Sequence, residues 1–122
     1  MKKIMVVDDQ AGIRMLLSEI FTREGYEVYT CANGPEALAL LHEHDLSLAI
    51  LDMKIPGMGG LEILHQIREI KPDLKVVVIT AYNEHIAIRE AEELGVIDIF
   101  SKPFDIDDIL HAVNQEIGEL AM

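Results

Sequence analysis

Five short apolar runs rich in β-branched residues, at 4–7, 27–31, 46–51, 76–80 and 97–100, alternate along the whole chain with segments of helical spacing. This alternation restricts the fold more than any other feature. Each run is apolar at consecutive positions, as a strand is when helices cover both faces of its sheet. Strands separated by helices run parallel, because only a crossover of a dozen or more residues returns the chain to the same end of the sheet. The expected architecture is α/β, a doubly wound five-stranded parallel sheet in the order 2-1-3-4-5 with five helices and right-handed crossovers.

The intervening segments support this. Ile13, Leu16, Leu17, Ile20 and Phe21 recur at one-turn intervals and predict a first amphipathic helix stopped near Gly25. Segments 35–44, 61–70 and 86–94 read as further helices, with Pro35 in a first turn and Gly95 just past an end. Ile106, Ile109, Leu110, Val113 and Ile117 form the core stripe of the last. Gly59 and Gly60 offer no side chain to cap the third helix and predict a loose loop before it.

At 122 residues the chain fits one domain, 1–122, with no room for an output domain beside it. Its 22 acidic residues against 10 Lys and Arg give a formal charge of −12, which repels nucleic acid and anionic membranes and suits a cation or a basic partner. The one cysteine, Cys31, excludes an internal disulfide and reads as a small buried hydrophobe. Met1-Lys2-Lys3 leads into only four apolar residues, too few for a signal-peptide core, and no run reaches membrane-spanning length. A cytoplasmic monomer, contacting neither nucleic acid nor membrane, is expected.

Chemistry-bearing residues follow the runs. The first ends on Asp8-Asp9, the third on Asp52, the fourth on Thr80 and the fifth on Ser101-Lys102. Taken alone, each has an ordinary explanation: a solvated loop or N-cap for Asp8-Asp9, a helix cap for Thr80, a surface turn for Lys102-Pro103. Ligands of open α/β sheets bind outside the carboxyl ends of the strands, so the order 2-1-3-4-5 brings these groups together. Clustered carboxylates raise one another's pKa unless a cation neutralises them, and hard oxygen ligands favour Mg²⁺ or Mn²⁺. Asp52, ending the most apolar run, is the candidate nucleophile toward phosphorus. Lys102 is the fixed cation beside it.

In order and spacing, Asp8-Asp9, Asp52 with Met53-Lys54-Ile55-Pro56-Gly57, Thr80-Ala81 and Lys102-Pro103-Phe104 resemble the signature of response-regulator receiver domains over essentially the whole chain. Within that family, the segments around Asp8, Asp52 and Lys102 are most similar to stand-alone sporulation phosphorelay regulators. The resemblance implies the flavodoxin-like receiver fold, with Asp52 accepting a phosphoryl group. It further implies Asp9, Asp52 and the Lys54 carbonyl as Mg²⁺ ligands, Asp8 acting through a bound water, and Thr80 and Lys102 on the phosphoryl oxygens. The implied partners are a histidine kinase and a histidine phosphotransferase, met by Gln10, Gly12, Ile13, Leu17 and Pro103, although packing alone explains Leu17. Such a chain is an enzyme only in catalysing its own acylation and onward transfer. The alternative is a chemotaxis-type single-domain receiver that binds a target when phosphorylated.

Two departures stand out. Ile99 occupies the place where many receivers carry an aromatic switch, with Phe100 next to it and expected to face the core, and Gly59 replaces the aspartate usual before the third helix. Met53 and Ile55 are expected to shield the acceptor from water. The five histidines lack metal-ligand spacing and read as solvated.

Overall fold

The computed structural model describes residues 1–55, 57–81 and 85–118; Pro56 of the segment after Asp52 lies outside them. Strands and helices alternate as β1 (Lys3–Val7), α1 (Ala11–Arg23), β2 (Glu27–Cys31), α2 (Gly34–Glu43), β3 (Leu48–Asp52), α3 (Gly60–Ile70), β4 (Lys75–Thr80), α4 (His85–Glu93), β5 (Asp98–Ser101) and α5 (Ile106–Ile117). The strands form one parallel sheet in the expected order β2-β1-β3-β4-β5. No helix among the described residues is long and apolar enough to cross a membrane.

Strand side chains alternate between the two faces, and each face has its own core. Met5, Val7, Ala49, Leu51, Val76 and Val78 pack with Ala37 and Leu41 of α2 and Ile63, Leu64 and Ile67 of α3. Ile4, Val6, Leu48, Ile50, Val77 and Ile79 pack with Leu17 and Phe21 of α1 and Ile109, Val113 and Ile117 of α5. The register aligns the carboxyl ends: Val7 pairs with Leu51, Asp52 with Ile79, and Thr80 with Ser101.

Several expectations shift. β3 begins at Leu48, two residues later than expected, although Ser47 already sends its N–H to the Lys3 carbonyl (2.8 Å), and it runs on to include Asp52. Leu16 leaves the core stripe, 43 % exposed, whereas its neighbour Leu17 is completely enclosed. A 100° step per residue separates adjacent positions, and α1 presents only a narrow face to the sheet. Cys31 is buried, and that burial pushes its thiol up to about 12. His42, His65, His85 and His111 are exposed, but His44 is half-buried and stacks on Tyr29 with ring centroids 4.0 Å apart.

The region before α3 is only half as loose as expected. Gly59 provides no side-chain cap. Gly60 donates its N–H to the Met53 carbonyl (3.1 Å), and a Cβ added there would lie 2.4 Å from the Met53 Cα and 2.8 Å from the Asp52 carbonyl oxygen. The start of α3 therefore rests directly on the backbone that carries Asp52, in a contact only glycine permits.

Candidate functional site

β1 ends at Val7, and the next residue, Asp8, is still bound to the sheet edge through its N–H to the Cys31 carbonyl (3.1 Å). Its carboxylate is only 1 % exposed. Oδ1 accepts the Gln10 N–H (2.8 Å), while Oδ2 is buried with no hydrogen-bond partner. Burial pushes the Asp8 pKa up. The Gln10 N–H and Lys102 oppose that rise, and the charges of Asp52 and Asp9 add to it.

Asp52, the last residue of β3 and 2 % exposed, has both oxygens held. Oδ1 accepts the Lys54 N–H (3.0 Å), and Oδ2 accepts Lys102 Nζ (2.9 Å). Lys102 follows β5 and is placed by its own N–H to the Thr80 carbonyl (2.9 Å); its peptide bond to Pro103 is cis. Burial works to lower the Lys102 pKa, but the hydrogen bond to Asp52 and the charges of Asp52, Asp8 and Asp9 carry it above the ordinary value, so the ammonium stays charged at neutral pH.

Each of Asp8, Asp9 and Asp52 offers an oxygen within 4.8 Å of the others. The three carboxylates face the Lys102 ammonium and still form an acidic cluster, a setting that suits a divalent cation. The unpartnered Asp8 Oδ2 is the kind of buried polar atom that requires such a partner. The donor set is all oxygen, and the residues fit Mg²⁺ in charge and in chemistry. An open cleft of about 510 Å³, lined by Asp9, Gln10, Asp52, Met53, Lys54, Ile55 and Lys102, leads from solvent to Asp52.

The match to the family model described as response regulator receiver domain spans residues 4–114. This chain is a response regulator receiver domain. It is 48 % identical over 114 residues to sporulation initiation phosphotransferase F of Bacillus subtilis, covering 93 % of the receiver and 92 % of that relative. It is 33 % identical to chemotaxis protein CheY of Thermotoga maritima, covering 93 % and 96 % respectively. Among solved structures it resembles the response regulator protein TrrA of Thermotoga maritima in complex with Mg²⁺ and BeF, with a TM-score of 0.85 and 37 % identity, covering 96 % of the receiver and all of that chain.

The receiver's geometry gathers Asp8, Asp9, Asp52, Lys54 and Lys102 at one point. Thr80 ends the neighbouring strand, but it is fully buried, does not line the cleft, and turns its hydroxyl to the Ala81 carbonyl at a long 3.4 Å. Gln10, Gly12 and Pro103 are exposed beside the cleft end of the sheet, and Ile13 is half-buried against the core. Leu17 is a correction: it lies wholly within the core beneath α1 and has no surface to offer a partner. Met53 and Ile55 are buried and line the cleft. Ile99 and Phe100 pack on opposite faces of the sheet, leaving no aromatic side chain at position 99.

Two contributors were not evident from the residue order. Gly60 contacts the backbone that carries Asp52, which a glycine pair before a helix does not announce. Arg14 donates from Nη1 to the Asp8 carbonyl at 2.8 Å. Its spacing, six residues past Asp8 in the first turn of α1, was the available signal.

Proposed function

We propose that the receiver is a phosphorelay intermediate, taking a phosphoryl group from a phosphohistidine onto Asp52 and passing it to the histidine of a phosphotransferase. The observation that carries this reading is the state of Asp52: a buried carboxylate fixed by Lys54 N–H and Lys102, next to an acid pair with an unsatisfied oxygen, at the floor of an open cleft. In the forward step an Asp52 oxygen forms a bond to phosphorus and the phosphorus–nitrogen bond breaks. The imidazole leaves with its electron pair and takes up a proton. Asp9, Asp52 and the Lys54 carbonyl would hold Mg²⁺, with Asp8 acting through a water. When bound, the ion neutralises charge on the phosphoryl oxygens. Mn²⁺ shares that ligand preference.

Lys102 holds one acceptor oxygen in place and offers an ammonium to the developing charge. Thr80 would reach a phosphoryl oxygen by turning away from the Ala81 carbonyl. Met53 and Ile55 limit the approach of water to the acyl phosphate. Gln10, Gly12, Ile13 and Pro103 form the proposed partner surface. A role in sporulation is supported by the 48 % identity to the Bacillus phosphotransferase, and we place the protein in the cytoplasm, where Cys31 stays reduced.

With acetyl phosphate and Mg²⁺, intact-protein mass spectrometry should show one added phosphoryl group on the wild type and none on Asp52→Ala, with Asp52→Asn folded and equally unlabelled. Full labelling of the alanine variant would overturn the assignment. A second reading, a chemotaxis-type receiver acting by binding alone, is favoured by the similarity to CheY. Absence of back-transfer from the labelled protein to every histidine phosphotransferase tried would select it.

A further inference from the structure

We infer that Arg14 is a positioning residue for the acidic pair, holding the peptide between Asp8 and Asp9 in the orientation that turns the Asp9 carboxylate toward Asp52. The inference rests on the proposed role of Asp8, Asp9 and Asp52 as a Mg²⁺ site and names what keeps that site in shape before the ion arrives.

Asp8 is tied at three points. Its N–H is fixed by the Cys31 carbonyl at 3.1 Å, its Oδ1 by the Gln10 N–H at 2.8 Å, and its C=O by Arg14 Nη1 at 2.8 Å. The first two tether the strand side and the side chain. Only the third fixes the carbonyl, and with it the plane of the peptide that leads into Asp9. Because ψ of Asp8 and φ of Asp9 flank that plane, rotating it sweeps the exposed Asp9 carboxylate through the region where it meets Asp8 and Asp52.

Arg14 is well suited to this task. It sits in the first turn of α1, and its own N–H bonds to the Gln10 carbonyl (3.1 Å), so its Cα is fixed to the loop it braces. The side chain is half-buried, and the guanidinium hydrogen bond to a carbonyl is charge-assisted. Three like charges repel the Asp8-Asp9 turn from Asp52 until a cation arrives, and the Arg14 bond is a mechanical restraint against that repulsion.

A simple charge effect has the opposite sign. Removing a positive charge from the neighbourhood of three carboxylates strengthens cation binding by Coulomb attraction alone. Loss of preorganisation weakens it. The direction of the change therefore separates the two.

The experiment is titration of the full-length protein with MgCl₂ by isothermal calorimetry, for the wild type, Arg14→Met and Arg14→Lys, at a temperature where urea unfolding shows all three folded. Arg14→Met should bind Mg²⁺ about tenfold more weakly, the lower end of what loss of an outer-sphere support costs, and Arg14→Lys, which can still donate to one carbonyl, should recover most of the loss. In acetyl phosphate labelling, the half-saturating Mg²⁺ should rise in Arg14→Met while the rate at saturating Mg²⁺ stays near wild type. A weakened fold would also raise the half-saturation point, by the reciprocal of the folded fraction, so the comparison is made where urea unfolding puts that fraction near one in every variant. If Arg14→Met does not fold, Arg14→Leu, which likewise carries no donor, replaces it. Unchanged or tighter Mg²⁺ binding in the donor-deleted variant overturns the inference. A wild type that does not respond to Mg²⁺ overturns the cation reading itself, and this inference with it.

Discussion

Asp8 is a carboxylate that the fold charges at a cost. Its folded pKa lies above the ordinary carboxylate value because it is buried, with Asp52 and Asp9 adding to the rise. Below the unfolded pKa of about 3.9 both states are protonated and no penalty exists. As pH rises past that value the unfolded chain releases its proton first. The penalty then grows, and it is complete above the raised folded-state pKa. Asp8→Asn keeps the oxygen that accepts the Gln10 N–H and meets the remaining carboxylates with an amide. We predict that without Mg²⁺ this variant unfolds at higher urea than wild type at pH 7, with the gap closing toward pH 3. Equal midpoints across that range would show that Asp8 carries no burial penalty. The functional type of residue was legible here, since acids at strand ends are visible in the sequence. The unpartnered Oδ2 was not, because burial and hydrogen-bond pairing of a single oxygen are set by the packed fold.

At the level of elements, the loop into α3 contrasts two adjacent glycines. Gly59 has open space around its missing side chain and ordinary N-cap dihedrals (φ −67°, ψ 159°), whereas a Cβ on Gly60 would drive into the Asp52-Met53 backbone. Gly59→Ser should raise stability by a few tenths of a kcal/mol through a new cap. Gly60→Ala should lower it by about 1–3 kcal/mol, as overpacking does, and should slow labelling of Asp52 at the same time. Urea midpoints and acetyl phosphate kinetics on the two variants check both signs; a Gly60→Ala protein as stable and reactive as wild type would refute the contact. The helices and strands themselves were readable from periodicity because burial follows it. Leu16 and Leu17 show the limit: one position apart and chemically identical, one is largely exposed and the other enclosed, and only the width of the α1 footprint decides which. Asp52, which closes the apolar run at 46–51, is the last rung of its strand, paired with Ile79.

At the scale of the whole molecule, the alternation of elements implies a parallel, doubly wound sheet, and the convergence of acids follows from its order β2-β1-β3-β4-β5. What the order could not supply is the state of each group within the cluster, such as the hydroxyl of Thr80 turned away from the cleft. Because a cation that binds only the folded state stabilises it by mass action, Mg²⁺ at 100 times its dissociation constant should add about 2.7 kcal/mol of unfolding free energy. Asp9→Asn should lose most of that gain in thermal melts; a full Mg²⁺ response in the variant would remove Asp9 from the ligand set. The Asp52 carboxylate comes from the middle of the chain, its acidic companions from the end of the first strand, and its ammonium partner from just beyond the fifth. A ribosome-bound fragment still missing its C-terminal third therefore carries Asp52 as an ordinary aspartate. On the proposed reading, Asp52 becomes competent to take a phosphoryl group only once synthesis and collapse have both reached the final crossover, and half-made copies are silent.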